Sequence, residues 1–159
     1  MIIKKTNKII NKIKVYLLKL FSGRNINFGK KLNIRRGFVA NVNGGKLTIG
    51  DNVFFNRYCS VNCQEKIDIG DNCLFGENVK IYDHNHVFSD LEKPIYQQGM
   101  KKGKVKIGNN CWVGSNSVIL MNVNIGDNVV IGANSLIYKD VPSNTIVKSV
   151  NTLQYTTRE

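Results

Sequence analysis

The stretch KIYDHNHVFSD, Lys80 to Asp90, holds both histidines of the chain, His84 and His86, with Asp83 just before them and Asn85 between. Histidine next to a carboxylate suits proton transfer or metal binding, because the neutral ring carries one N–H donor and one lone pair. The x-His-x-His spacing is compatible with four readings: a metal site, a nuclease motif, an acid/base pair, or two loop residues without chemistry. If the segment is extended, residues two apart face the same side, so His84 and His86 share one surface. The other candidate nucleophiles or ligands are Cys59, Cys63, Cys73 and Cys111, none in Cys-x-x-Cys spacing.

The elements that must position these residues are legible as a repeat. Stepping by six from Ile49 meets Phe55, Val61 and Ile67; the ladder restarts at Ile69, Phe75 and Ile81, and after an interruption runs through Ile107, Val113, Ile119, Ile125, Ile131 and Ile137. The following position is glycine at Gly50, Gly70, Gly76, Gly108, Gly114, Gly126 and Gly132, and the fourth is asparagine at eight places between Asn52 and Asn134. Gly and Asn tolerate positive φ, so a corner can recur every six residues. The fifth position is small or β-branched and includes Cys59, Cys73 and Cys111, which read as core fillers rather than ligands. Short strands with regular corners, three to a turn, make an all-β triangular parallel β-helix whose coils bury their aliphatics only by stacking.

The 159 residues suit one domain, and their net charge of +12 is unevenly placed. Residues 1–50 carry twelve Lys and Arg and no acid, whereas the remainder carries eleven of each sign, which argues against a nucleic-acid groove across the body. Residues 1–22 place Ile2, Ile9, Ile13, Tyr16, Leu17 and Leu20 at helical spacing between lysines, a basic amphipathic helix that packs on protein or lies on an anionic membrane face. Its apolar runs are too short to span a bilayer and no small-residue cleavage site follows, so a cytoplasmic protein without a disulfide framework is expected, peripheral to the inner membrane face if the helix binds lipid. The expected organisation is helix 1–22, β-helix 23–147 with a protruding loop 83–106, and tail 148–159.

The segments IGDNCLFGENVKIYDHNH, PIYQQG and VKIGNNCWVGSNSVILMNVNIGDNVVIGANSLIYKDVP together resemble the hexapeptide-repeat acyltransferases. Within them the chain is similar to the galactoside and maltose O-acetyltransferases and to those of capsule, lipopolysaccharide and exopolysaccharide pathways. The resemblance implies a left-handed β-helix, an exception to the usual crossover hand, and a homotrimer with active sites between adjacent prisms. It implies acetyl-CoA as co-substrate, a sugar or glycan acceptor and no metal. Carried over by position, His86 is the general base. Trp112, Ser115 in WVGS, Ala133 in IGANS, Tyr138 and Lys139 line the coenzyme groove, and Asn56 in FFNRY holds the acceptor. Asp83, His84 and Asn85 join the acceptor set from their place beside His86 and not from the resemblance; His84 is open to orienting His86, sharing the acceptor or lying in solvent, and Asp83 to fixing the imidazole tautomer. The family's Gly-x-Pro turn is absent from IVKSVNTLQYTTRE.

The chemistry this implies is simple. A thioester carbonyl is electrophilic and its thiolate leaves readily; the sugar hydroxyl is the difficult partner. An imidazole, with an ordinary pKa of about 6.5, can take the alcohol proton as the bond forms and return it to the departing thiolate. A backbone N–H or the Asn85 amide would face the developing oxyanion. Two readings of other classes compete: a zinc enzyme of the γ-carbonic-anhydrase type, which needs three histidines where this chain has two, and a non-catalytic scaffold at a membrane surface. An HNH nuclease lacks both its ββα context and its further metal ligands here.

Overall fold

A computed structural model of the chain describes residues 13–18, 20 and 25–149. Strands are short and parallel and fall on three faces of a prism. Face A stacks β1 (Ile26–Phe28), β4 (Lys46–Ile49), β7 (Lys66–Ile69), β12 (Lys104–Ile107) and β15 (Val123–Ile125). Face B stacks β2 (Asn33–Ile34), β5 (Phe54–Phe55), β8 (Leu74–Phe75), β13 (Trp112–Val113), β16 (Val130–Ile131) and β18 (Ile146–Val147). Face C stacks β3 (Val39–Val42), β6 (Ser60–Cys63), β9 (Lys80–Tyr82), β14 (Val118–Ile119) and β17 (Leu136–Ile137). From β1 to β9 and from β12 to β17 successive strands lie on successive faces, and before β18 face A holds only the bridge of Val141 to Ile125, so the described residues form a parallel β-helix, as the repeat predicts.

The apolar ladder is the core. Every rung from Ile49 to Ile137 named above is buried, each worth about 1.5–3 kcal/mol relative to exposure. Inside the prism, Phe55 and Phe75 stack with ring centroids 4.4 Å apart, and Phe38 meets Phe55 at 4.8 Å. The fourth-position asparagines take φ between 54° and 61°, the left-handed conformation that closes each corner. Their amides also form ladders, Asn110 Nδ2 donating to Asn128 Oδ1 at 2.8 Å and Asn128 Nδ2 to Asn144 Oδ1 at 3.0 Å.

The repeat's glycines serve a different purpose from the one their conformational freedom suggests. Among the described residues, positive φ at glycine occurs only at Gly37, Gly44 and Gly99, none of them in the hexad. A Cβ on Gly70 would lie 2.7 Å from the Gly108 carbonyl oxygen, and one on Gly76 would lie 2.6 Å from the Ser115 nitrogen. These corners are glycine because the next coil passes too close for any side chain. The fifth position also does more than fill space. Cys73 Sγ donates to the Gly108 carbonyl at 3.2 Å, Cys111 Sγ to Gly126 at 3.2 Å, and Ser117 Oγ to Gly132 at 3.1 Å.

Stacked corner residues are 20 positions apart from Asp51 to Asp71 and 18 apart from Asn109 to Asp127, but 38 apart from Asp71 to Asn109. The extra residues form an excursion between β9 and β12. Sequence reasoning ends this loop at residue 106; the structure ends it at Gly103, because Val105 and Ile107 already point into the core and Lys104 and Lys106 outward, with the period of a strand. At the other end, residues 13–18 are helical, and Val15 and Leu18 pack against the core while Ile13, Tyr16, Leu17 and Leu20 remain exposed. The rest of the 1–22 segment and residues 150–159 lie outside the described residues.

All four thiols are unpaired and buried. Burial pushes Cys59 up, and Cys63 is pushed up to about 12 by burial and by its hydrogen bond with the Asp83 carboxylate; Cys73 is raised by its hydrogen bond with Cys111 and by burial, the same bond lowering Cys111 to about 7. Because all four are closed off from solvent, the native protein should show no fast reaction with a charged disulfide reagent at neutral pH and react at four thiols in denaturant. Rapid native labelling of Cys63, read by peptide mass, would contradict this packing.

Candidate active site

Where face C meets face A the chain leaves the prism after Tyr82 and returns at Gly103, and a two-stranded antiparallel hairpin stands on that edge. It pairs β10 (His84–His86) with β11 (Met100–Lys102), His84 opposite Lys102 and His86 opposite Met100. Gly103 N–H donates to the Asp83 carbonyl at 2.7 Å at its base, and Val87 N–H donates to Gly99 at 3.1 Å toward its tip. Beyond the pair, the Gln98 amide organises the loop, donating to the carbonyls of Asp90 at 2.7 Å and Lys93 at 2.8 Å and accepting from the Asp90 N–H.

A cleft of about 510 Å³ opens between this hairpin and face C, lined by Tyr82, His84, Asn85, His86, Met100, Leu120, Met121 and Tyr138. Its floor has a simple origin. Ile81, Ile119 and Ile137 stack in register inside the prism, so the residues that follow them, Tyr82, Leu120 and Tyr138, stack outside it. On this face large side chains occupy the position that glycine holds elsewhere in the repeat, a departure visible in the sequence that would have flagged Tyr82 and Leu120. Met100 and Met121 carry no such mark, because only the hairpin pairing and the path of the corner bring them here.

Asp83 is fully buried. Its Oδ1 accepts from Gln64 N–H at 2.7 Å and from His84 Nδ1 at 2.9 Å, and its Oδ2 accepts from Glu65 N–H at 2.8 Å. Burial opposes its ionisation, but the His84 bond and the two backbone N–H groups outweigh it and hold the carboxyl below its usual range. The sequence reading that put Asp83 in direct contact with the acceptor is corrected here: with no exposed surface and these donors and the Cys63 thiol around it, its carboxylate reaches the cleft only through His84. His84 is nearly buried, its ring edge-on to Tyr82 at 6.3 Å and 85°. His86 is exposed on the hairpin, and its N–H donates to Asn85 Oδ1 at 2.9 Å, leaving the amide nitrogen of Asn85 as a donor.

The expected site residues divide into two groups. His84, Asn85, His86 and Tyr138 share the cleft, and Lys139 stands beside it with its ammonium 5.5 Å from the Tyr138 ring centroid. Asn56, Ser115 and Ala133 lie instead along the ridge between faces B and C, where Ser115 Oγ accepts from Glu77 N–H at 3.1 Å and Asn56 Oδ1 accepts from Arg57 N–H at 2.9 Å. Trp112 is 55% exposed on face B between Leu74 and Val130. One chain alone does not bring this second group to His86. The loop is also less polar at its surface than its sequence suggests, since Phe88, Leu91, Ile95 and Tyr96 are all exposed. Among the described residues, no three His, Cys, Asp or Glu side chains gather closely enough to hold a metal ion.

Because the folded pKa of Asp83 lies below the ordinary 3.8, its contribution to stability is complete above about pH 4 and is lost as pH falls through the folded value. Asp83→Asn should lower unfolding free energy at pH 7 by about 1–3 kcal/mol, and the gap to wild type should narrow at pH 3. Urea melts at both pH values check this; an equal gap at each would mean that the charge is not what stabilises.

Sequence and structure comparisons agree with this architecture. Residues 104–139 match the family described as bacterial transferase hexapeptide (six repeats), and residues 66–81 match the hexapeptide repeat of succinyl-transferase. The galactoside O-acetyltransferase of Escherichia coli K12 is 36% identical over 128 residues, 77% of this chain and 52% of that protein. A maltose O-acetyltransferase structure from Clostridium difficile 630 superposes with a TM-score of 0.69 at 32% identity, covering 90% of this chain and 77% of that one. A hexapeptide-repeat acetyltransferase from Vibrio cholerae, solved with acetyl coenzyme A, gives 0.69 at 26% identity, covering 88% and 74%. The chain spans about half the length of the curated relatives it matches, from 33% to 60%.

Proposed function

This chain belongs to the hexapeptide-repeat acetyltransferases, and from that premise we propose that it transfers acetyl from acetyl-CoA to a sugar hydroxyl, in the assembly of a surface polysaccharide. The observation that carries the reading is the cleft that gathers His86, Asn85 and Tyr138 against face C. In the proposed reaction His86 takes the proton of the sugar hydroxyl as its oxygen attacks the thioester carbonyl. The Asn85 amide donates to the oxyanion of the tetrahedral intermediate. Collapse breaks the carbon–sulfur bond, and the imidazolium returns its proton to the coenzyme thiolate. Holding both substrates in one cleft supplies much of the remaining acceleration.

A homotrimer accounts for the residues that one chain leaves apart. A cyclic assembly would set the ridge and face B of one protomer, with Asn56, Trp112, Ser115 and Ala133, opposite the hairpin of its neighbour. Supporting it are the exposed Phe88, Leu91, Ile95 and Tyr96 of the loop, an apolar set suited to a neighbouring protomer. Lys139 beside the cleft would meet a coenzyme phosphate. His86→Ala should cut kcat for acetyl transfer to a galactoside or maltose by about 10²–10⁴-fold while the melting temperature stays close to wild type. Comparable transfer by both proteins, measured by mass spectrometry of the sugar, would remove His86 as the base.

A peripheral membrane location at the inner face rests on a separate observation. Val15 and Leu18 turn toward the prism, so Ile13, Tyr16, Leu17 and Leu20 form an outward apolar stripe in a segment that holds only basic charge. No helix among the described residues is long and apolar enough to cross a membrane. The protein should float with vesicles containing about one third anionic lipid at low salt, by surface-charge attraction, and a variant lacking residues 1–22 should not. Equal recovery of both in the soluble fraction would refute membrane contact.

A further inference from the structure

The two histidines, one residue apart in the sequence, are held in different ways. His86 sits on the hairpin, tied through its backbone. His84 is tied through its ring to Asp83, whose carboxylate is itself fixed by the N–H groups of Gln64 and Glu65, two consecutive residues of the preceding coil. Those donors belong to a prism corner that cannot shift without breaking the stack, so the ring of His84 is referenced to the rigid body of the protein.

Resting on the acetyl-transfer reading of this cleft, we propose that Asp83 and His84 form a tautomer lock that makes His84 a fixed hydrogen-bond acceptor for the sugar, thereby choosing which hydroxyl reaches His86. An ionised carboxylate only accepts, so the ring atom 2.9 Å from Asp83 Oδ1, Nδ1, carries the proton. The neutral ring then has its lone pair on Nε2. The edge-on contact with Tyr82 restrains rotation about the side chain, and the part of the ring left exposed belongs to the cleft wall.

The rest of that wall gives the lone pair its selectivity. Met100, Leu120 and Met121 offer no hydrogen bonds to compete with it, Asn85 has its carbonyl oxygen engaged by His86 N–H, and the lone pair of His86 is required for the reacting hydroxyl. A sugar bound here satisfies the Nε2 of His84 with a second hydroxyl; a deoxy analogue lacking that hydroxyl leaves a nearly buried acceptor unpaired, which is a strong basis for rejection. Asp83 is a positioning residue in this scheme, and His84 is the group that touches the acceptor.

The test has two independent arms. Long-range ¹H–¹⁵N NMR of the full chain at neutral pH should show His84 as the Nδ1–H tautomer in wild type and a shift toward Nε2–H in Asp83→Asn. With acetyl-CoA and either maltose or methyl galactoside, His84→Ala should raise KM for the sugar about tenfold or more while KM for acetyl-CoA changes less than about twofold, the loss of one hydrogen bond to the acceptor. His84→Gln, which keeps an acceptor oxygen, should recover part of the loss, and it bypasses any folding defect of Asp83→Asn. An Nε2–H tautomer in wild type, or an unchanged sugar KM in His84→Ala with wild type active, overturns the proposal alone. Absence of transfer to both sugars and to a mixed glycan pool by wild type overturns the acetyl-transfer reading and the proposal with it.

Discussion

On face B the N–H of Phe54 donates to Cys73, that of Leu74 to Cys111, that of Trp112 to Val129 and that of Val130 to Thr145. These peptide columns run from coil to coil along the prism, and they set a spacing of about 4.8 Å between neighbouring strands. No single coil has a core of its own: Ile67 or Val113 is buried only because a coil lies on either side. The hydrogen-bond spacing therefore controls everything else. It forces the corners to be made without a Cβ where Gly70 and Gly76 pass the next coil, and it needs a left-handed residue, almost always asparagine, to close each bend. Side-chain columns of amides, thiols and hydroxyls follow because identical positions are superimposed.

A strictly repeated prism has flat sides and nothing to bind with. Chemistry enters where the repeat is interrupted. The excursion after Tyr82 breaks the column, and the peptide groups that would have continued it are satisfied by the hairpin and by Gly103 donating back to Asp83. Asp83 is the joint between the two regimes. Its backbone closes the base of the hairpin, and its carboxylate caps two N–H groups of the coil before and holds the first histidine. A buried charge held by several hydrogen bonds resists displacement, so the loop leaves the prism at one fixed angle.

The same flatness explains why Trp112, Ser115 and Ala133 are apart from His86 in one chain. Trp112 faces outward from B, and the cleft opens from C. A convex body cannot curve these surfaces toward each other, so a groove between them needs a second prism. The apolar side chains exposed on the loop are in keeping with the homotrimer proposed above.

The sequence by itself determined the coil. Six-residue periodicity decides which side chains point inward, because that property is local and repeats; Asn at most bends and the core role of Cys59, Cys73 and Cys111 could be read the same way. It did not determine why the hexad glycines are needed, which is a contact between residues some 20 or 38 positions apart. Nor did it show how His84 is held, since its ring is fixed by a carboxylate anchored to Gln64 and Glu65, nearly twenty positions away. Met100 and Met121 join the cleft through hairpin pairing and coil stacking, and Lys104 and Lys106 leave the loop for face A once their neighbours fill the core. Local periodicity writes the scaffold into the chain; the cleft is composed of distant segments, and only folding brings them within hydrogen-bonding distance.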